Sequence, residues 1–421
     1  MDYFEYRDGE LFAEGVPVRR IAREAGTPVY IYSLATLRRH FRVFDQAFAP
    51  LPHLICFSMK SNSNLALLRL FVREGGGFDI VSGGELFRAL KAGADPGKIV
   101  FSGVGKRAEE MRSALEAGIL MFNVESEQEL SLLNEVARGL GKKAPISLRV
   151  NPDVDPQTHP YISTGMKKSK FGIDIKRSVE EYKRALSLPH IEVIGIDCHI
   201  GSQITSIPPF VDALSKVREY LDGVLTGSLG RGTIRYLDLG GGLGIRYQDE
   251  EPPHPEDYAR ALIRELKGLE VTLILEPGRV IVGNAGILVS EVLYIKETDE
   301  KKFVVVDGGM NDLIRPALYG SYQAIRPVVQ RDGEKIIADV VGPVCESGDF
   351  FAKDREMTRP EPGELLAVMS AGAYGFSMAS NYNSRPRPAE VLVDGEGFYL
   401  IRSRETLEDL VRGESVPPSL R

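Results

Sequence analysis

Several short apolar runs of the sequence end in one chemically capable group. Lys60 lies just past LICF, Asp79 within FDIV, His199 after GIDC, three glycines at 240–242 after YLDL, and Glu276 after TLIL. An amine at the end of a strand can be a solvated lysine. Partly desolvated, the same amine loses some of its proton affinity and can bond covalently to an aldehyde cofactor. The glycines at 240–242, with Gly244 beyond, allow backbone amides to close on an anion such as phosphate, although a tight turn uses glycine equally well. Glu276 is costly in a dry site unless paired. Opposite a pyridine nitrogen it would keep that nitrogen protonated and make the ring an electron sink. His199 fits either a satisfied core histidine or a flat ring stacked on a cofactor face.

These groups need elements that bring them together. Between about residues 28 and 280, short apolar runs alternate with segments of helical spacing. Eight runs read as buried parallel strands, at 54–57, 78–81, 99–101, 120–124, 146–150, 193–198, 236–239 and 272–275. Eight such units predict an α/β chain built on a (βα)8 barrel. In that fold the carboxyl ends of the strands share one rim, where the polar groups would converge. An additional run at 29–32 fits the barrel or a second domain. After Gly278 the pattern turns to alternating, hairpin-like β sequence at 289–296, 303–306, 335–341, 365–369 and 390–401, the last broken by Asp394 and Gly395. The expected organisation is a barrel over 26–280 and a mostly antiparallel β domain over 281–421, with residues 1–25 added to it.

The chain has 421 residues, 43% hydrophobic and 26% charged, enough for two cores. Its net charge of -7 offers no basic field for a nucleic-acid backbone. The first residues, MDYFEYRDGE, lack the basic and then apolar order of a secretory signal, and no run of 18 apolar residues follows. A cytoplasmic location without membrane contact is expected. Cys56, Cys198 and Cys345 are too far apart for metal-ligand spacing or a disulfide framework.

The motifs FSMKSN at 57–62, FDIVSGGE at 78–85, RVNP at 149–152, SKFG at 169–172, HIGSQ at 199–203, GGGLG at 240–244 and EPGR at 276–279 together resemble the fold-type III pyridoxal-phosphate-dependent decarboxylases. The resemblance runs in order along nearly the whole chain. It implies that Lys60 holds pyridoxal 5′-phosphate, that His199 stacks on its ring and that Glu276 pairs with the ring nitrogen. Asp79, Ser202, Gly240, Gly241, Gly242, Gly278 and Arg279 complete the implied cofactor site. AGAYGFSMAS at 371–380 resembles the segment that carries a phosphate-binding tyrosine, here Tyr374. VCESGD at 344–349 resembles a loop lent by a partner subunit, with Cys345 as proton donor to the substrate carbon. A homodimer with shared sites is therefore implied. The alternative for Cys345 is a small buried hydrophobe.

The stretch DLIRPALYGSY at 312–322 bears on the substrate. Family members acting on polyamine precursors need a carboxylate near this place, whereas this chain offers Arg315 and Tyr319. Arg279 and Arg315 suit bidentate capture of a distal carboxylate, Glu346 suits a distal ammonium, and Tyr374 adds a contact. A small molecule with an amino-acid group at each end fits, and meso-diaminopimelate is one. The expected reaction is its decarboxylation to L-lysine. Ornithine or arginine decarboxylation is the rival, and a catalytically silent binding protein is a third reading. Surface ion pairing is the plain alternative for Arg315.

Overall fold

The structure is a computed structural model that describes residues 2–155, 170–224 and 234–420. Ser169, the first residue of SKFG, lies outside the described residues. The chain divides into two compact units. One spans Arg38–Ile281; the other joins the residues up to Leu37 with those from Val282 onward.

In the first unit eight parallel strands close into a barrel: His53–Ser58, Gly77–Ile80, Ile99–Phe101, Met121–Val124, Ala144–Asn151, Ile191–Asp197, Tyr236–Asp238 and Thr272–Leu275, the last pairing back on the first. The eight apolar runs correspond to these strands, which are apolar because helices cover their outer faces. Several of those helices start at side-chain caps that satisfy free N–H groups. Ser82 accepts from Glu85 N at 3.2 Å and Ser126 from Glu129 N at 3.2 Å.

Side chains in a strand alternate between faces, so residues two apart share one. Cys56, Val100, Met121, Ile194 and Ile274 form a buried apolar cluster contributed by five barrel strands. Two residues further along, Cys56 is followed by Ser58, Val100 by Ser102, Met121 by Asn123 and Ile274 by Glu276, all buried. The strands therefore pass from an apolar layer to a polar one toward their carboxyl ends.

The second unit holds a mixed sheet ordered Phe350–Thr358, Lys335–Val341, Lys302–Val306, Gly286–Glu297, Val29–Ser33, Ala389–Asp394 and Gly397–Arg402. Ile325–Pro327 and Leu365–Val368 branch from Gly286–Glu297. Most pairings are antiparallel, but Val29–Ser33 lies parallel to Ala389–Asp394. The run at 29–32 thus belongs to this sheet. Inside it Glu390 is fully buried, accepting from Tyr32 Oη at 2.8 Å and Arg402 Nε at 2.5 Å. Leu11, Ala13 and Val16, from the short sheet Phe4–Arg7, Glu10–Ala13 and Val16–Pro17, pack into the same core. Phe350–Thr358 was not expected as a strand. It is an edge strand, and FFAKDREMT carries its charges on a largely exposed stretch.

Close strand packing makes Gly77 irreplaceable by a larger residue. A Cβ there would lie 1.9 Å from the Lys98 carbonyl oxygen, a backbone atom that cannot swing aside. Gly77→Ala should cost about 2 kcal/mol through forced backbone movement. Denaturant unfolding of the cofactor-free protein would measure it, and a variant as stable as the parent would contradict this packing.

Candidate active site

Lys60 sits in the 3-10 turn Met59–Ser61 directly after the first barrel strand, with its side chain 37% exposed. Its Nζ lies 3.2 Å from Asp79 Oδ2, an oxygen that also accepts from Ser58 Oγ at 2.8 Å. Asp79 is fully buried on the second strand, and its Oδ1 has no partner among the described residues.

On the eighth strand, which pairs with the first, Glu276 follows Leu275 and is buried. Asn123 Nδ2 reaches Glu276 Oε1 at 3.4 Å and Asp238 Oδ2 at 3.1 Å. Asp197 ends the sixth strand near Arg149, whose Nη1 donates to Glu125 Oε1 at 2.9 Å. Asp79, Asp197, Asp238 and Glu276 thus crowd one dry layer. Burial, then Asp238, pushes Glu276 well above the usual carboxyl range; burial, then Asp238, does the same to Asp197. A carboxyl in this state can carry a proton at neutral pH.

His199 moves the other way. Burial first, then the cations Arg149 and Lys60, hold it well below the ordinary imidazole value, so its ring is neutral. Gly241 N–H donates to His199 Nδ1 at 3.2 Å, which leaves the ring proton on Nε2. The glycine run packs without room for side chains. A Cβ would meet His199 Nδ1 at 2.4 Å from Gly240, the Glu276 carbonyl at 2.2 Å from Gly241 and the Gly201 carbonyl at 2.7 Å from Gly242. Gly240 and Gly242 also take φ of +62° and +115°, open to glycine alone at little cost. Gly278 lies against Ser58 and Ser61, a Cβ there meeting them at 3.0 Å. Arg279 is buried, with Nη1 donating to Tyr247 Oη at 2.8 Å and Nη2 to Ser202 Oγ at 3.0 Å.

The barrel unit therefore gathers Lys60, Asp79, His199, Ser202, Gly240, Gly241, Gly242, Glu276, Gly278 and Arg279 at the carboxyl ends of its strands. Cys345, Glu346, Arg315, Tyr319 and Tyr374 belong to the other unit. There Arg315 is buried at the start of the helix Arg315–Tyr319, which removes surface ion pairing as its explanation. Tyr374 is half-buried with φ +56°. Cys345 is exposed, unlike the buried Cys56 and Cys198. Its loop is clamped: Asp349 accepts from Met310 N and Val344 N, each at 2.6 Å, and Cys345 N donates to Asn383 Oδ1 at 2.8 Å.

The sequence reading missed Asn123, Asp197, Asp238 and Tyr247. A signal existed for three of them, since an acid or amide inside an apolar run, as in FNV, GID and YLDL, is seldom buried without a task.

A lysine for an aldehyde, a buried carboxyl pushed well above its usual range for a ring nitrogen and a glycine turn without side chains for a phosphate fit pyridoxal 5′-phosphate. Residues 34–283 match the family described as pyridoxal-dependent decarboxylase, pyridoxal binding domain, so the class is a decarboxylase that works through this cofactor. The chain is 56% identical over 418 residues to diaminopimelate decarboxylase of Pseudomonas aeruginosa, covering 99% of this chain and 100% of that one. Among solved structures it is similar to diaminopimelate decarboxylase of Helicobacter pylori complexed with L-lysine, at 44% identity and a TM-score of 0.90, covering 94% of this chain and 98% of that one. The L-lysine complex from M. jannaschii matches with a TM-score of 0.95 at 40% identity, covering 100% and 99%. The chain belongs to the diaminopimelate decarboxylase family of pyridoxal-dependent decarboxylases.

Glu85, in the first turn of the helix Gly83–Lys91, accepts from Val81 N at 2.7 Å, yet burial pushes it up to about 7. A carboxyl raised on folding stabilises fully below its ordinary 4.5, and that contribution is lost as pH rises through about 7. Glu85→Gln keeps the acceptor and removes the titration. Between these pH values the stability of the cofactor-free parent should fall relative to Glu85→Gln by about 1 kcal/mol, allowing for partial exposure. Parallel pH-dependent unfolding curves for the two proteins would contradict it.

Proposed function

We propose that this enzyme decarboxylates meso-2,6-diaminopimelate to L-lysine and carbon dioxide in the cytoplasm. The observation that carries the reading is that one barrel rim holds both the Lys60 amine beside Asp79 and the buried Glu276, whose carboxyl burial pushes well above its usual range. The family's named substrate and the L-lysine bound in two related structures support the choice of molecule.

Lys60 would hold the cofactor aldehyde covalently, Glu276 would face the ring nitrogen, and His199 would lie against the ring. Gly240, Gly241 and Gly242, with Ser202, Gly278, Arg279 and Tyr374, would hold the phosphate end. When bound, pyridoxal 5′-phosphate supplies an electron-poor ring that takes up the electron pair left by the departing carboxylate. The chain's own residues do the rest. Asp79, 3.2 Å from Lys60 Nζ, holds that nitrogen in place at the rim. Glu276 keeps a proton at the ring end, and neutral His199 adds no positive charge to the ring face. Arg279 and Arg315 capture the distal carboxylate, Glu346 the distal ammonium, and Tyr319 and Tyr374 line the pocket. Cys345 returns a proton to the carbon that lost carbon dioxide. It does so from a second copy of the chain, so the working form is a homodimer. Its exposure and its clamped loop support that role.

Carbon dioxide release from meso-diaminopimelate, beside ornithine and arginine, tests the substrate. Preference for ornithine or arginine would overturn it. Lys60→Ala should abolish the visible absorbance of bound cofactor, and a variant that kept it would remove Lys60 from the role.

Cys345→Ala should fold and retain cofactor while kcat falls about 10²- to 10⁴-fold, the usual range for a lost proton donor. Mixing inactive Lys60→Ala and Cys345→Ala proteins should restore part of the activity after subunit exchange. No recovery would favour self-contained sites.

A further inference from the structure

We infer that Asp238 is a positioning residue: it shares one proton with Glu276, the two carboxyl groups being held side by side by the amide of Asn123. The inference rests on the assignment of Glu276 to the cofactor's ring nitrogen and explains what keeps the proton there.

The geometry distinguishes the two acids. Asp238 Oδ1 accepts from Gly240 N at 2.9 Å and its Oδ2 accepts from Asn123 Nδ2 at 3.1 Å, so both oxygens face short N–H donors. Glu276 Oε1 has only longer contacts, with Asn123 Nδ2 and Ser102 Oγ, both at 3.4 Å. Asp238 and Glu276 are also within hydrogen-bonding reach of each other, which two carboxyl groups satisfy only with a proton between them. The orientation of Asn123 is fixed by Ser147 Oγ, which donates to its Oδ1 at 2.7 Å and turns the amide N–H groups toward the acids. Charge therefore resides on Asp238, and the proton on Glu276.

The surrounding charges agree. Asp79 from the second strand and Asp197 from the sixth repel a second negative charge, while Lys60 and Arg149 offer two cations to the whole layer. Both acids titrate upward, with burial the leading cause. Asp238 also ties the two ends of the cofactor site together. One oxygen anchors the first glycine of the phosphate turn, and the other reaches through Asn123 to the acid at the ring end.

The test is an infrared titration of cofactor-free protein carrying isotope-labelled glutamate or aspartate. The parent should show a protonated glutamate band persisting to neutral pH, and Glu276→Gln should lack it. In Asp238→Asn the band's midpoint should fall by about one pH unit or more, the size of coupling expected for a sharing pair. Asn123→Ala should lower the glutamate midpoint and raise that of Asp238, because removing the donor moves charge from Asp238 to Glu276. Unchanged midpoints in folded Asp238→Asn, or a parent without the band, would overturn the inference. Should Asp238→Asn fail to fold, Asn123→Ala decides by the same criterion. Carbon dioxide release is measured separately on the parent. An intact titration with no release from meso-diaminopimelate would sink the substrate reading and leave the acid pair standing; normal release with unshifted variant titrations would sink the pair alone.

Discussion

Four carboxyl groups at or near the ends of four barrel strands cannot all be ionised in a layer that excludes water. An isolated carboxylate loses several kcal/mol of hydration on burial, and a like charge nearby adds to the cost. Asp79, Asp197, Asp238 and Glu276 meet this constraint by different means. Asp79 has Lys60 at 3.2 Å, and Asp197 has Arg149 at 3.8 Å. Asp238 has the Gly240 N–H and the Asn123 amide. Glu276 has no cation at such a distance among the described residues, and burial pushes its carboxyl toward the neutral form. An electron-withdrawing ring needs a proton donor at its nitrogen, and the arrangement of the other three acids leaves one there.

The barrel geometry makes this possible without disturbing the fold. Because side chains alternate along a strand, the apolar layer of Cys56, Val100, Met121 and Ile274 and the polar layer two residues later share the inner face. Stability is vested in the first layer and chemistry in the second. The glycines serve both: Gly241 and Gly242 press their backbones against neighbouring carbonyls, while the Gly240 and Gly241 N–H groups tie the turn to Asp238 and His199.

Much of this was legible in the sequence, for reasons that differ by element. The barrel strands announced themselves as apolar runs because both of their faces are covered. Lys60, His199, Glu276 and the glycine run stood out because they interrupt or follow those runs. The strand Val29–Ser33 had no readable home, since all five residues are buried and nothing alternates. Its place is set by pairing with residues more than 250 positions away. Phe350–Thr358 hid behind its charges. The hairpin around Asp8 and Gly9 was overlooked although that pair is a strong turn signal, with φ of +48° and +77°.

The acids that organise the site were the least visible, because Asp197, Asp238 and Asn123 each sit inside a run dominated by apolar neighbours. A reading by runs discounts one polar letter as tolerable noise. Physically it is the reverse: a carboxyl with zero exposure, as at Asp238, must be matched by donors or hold a proton. Such a residue carries more information about chemistry than exposure alone gives for one like Cys345. The matching donors, Ser102, Asn123 and Gly240, come from at or near the ends of three different strands, far apart in sequence and adjacent only once the barrel closes. Closure therefore sets the electrostatics of the site.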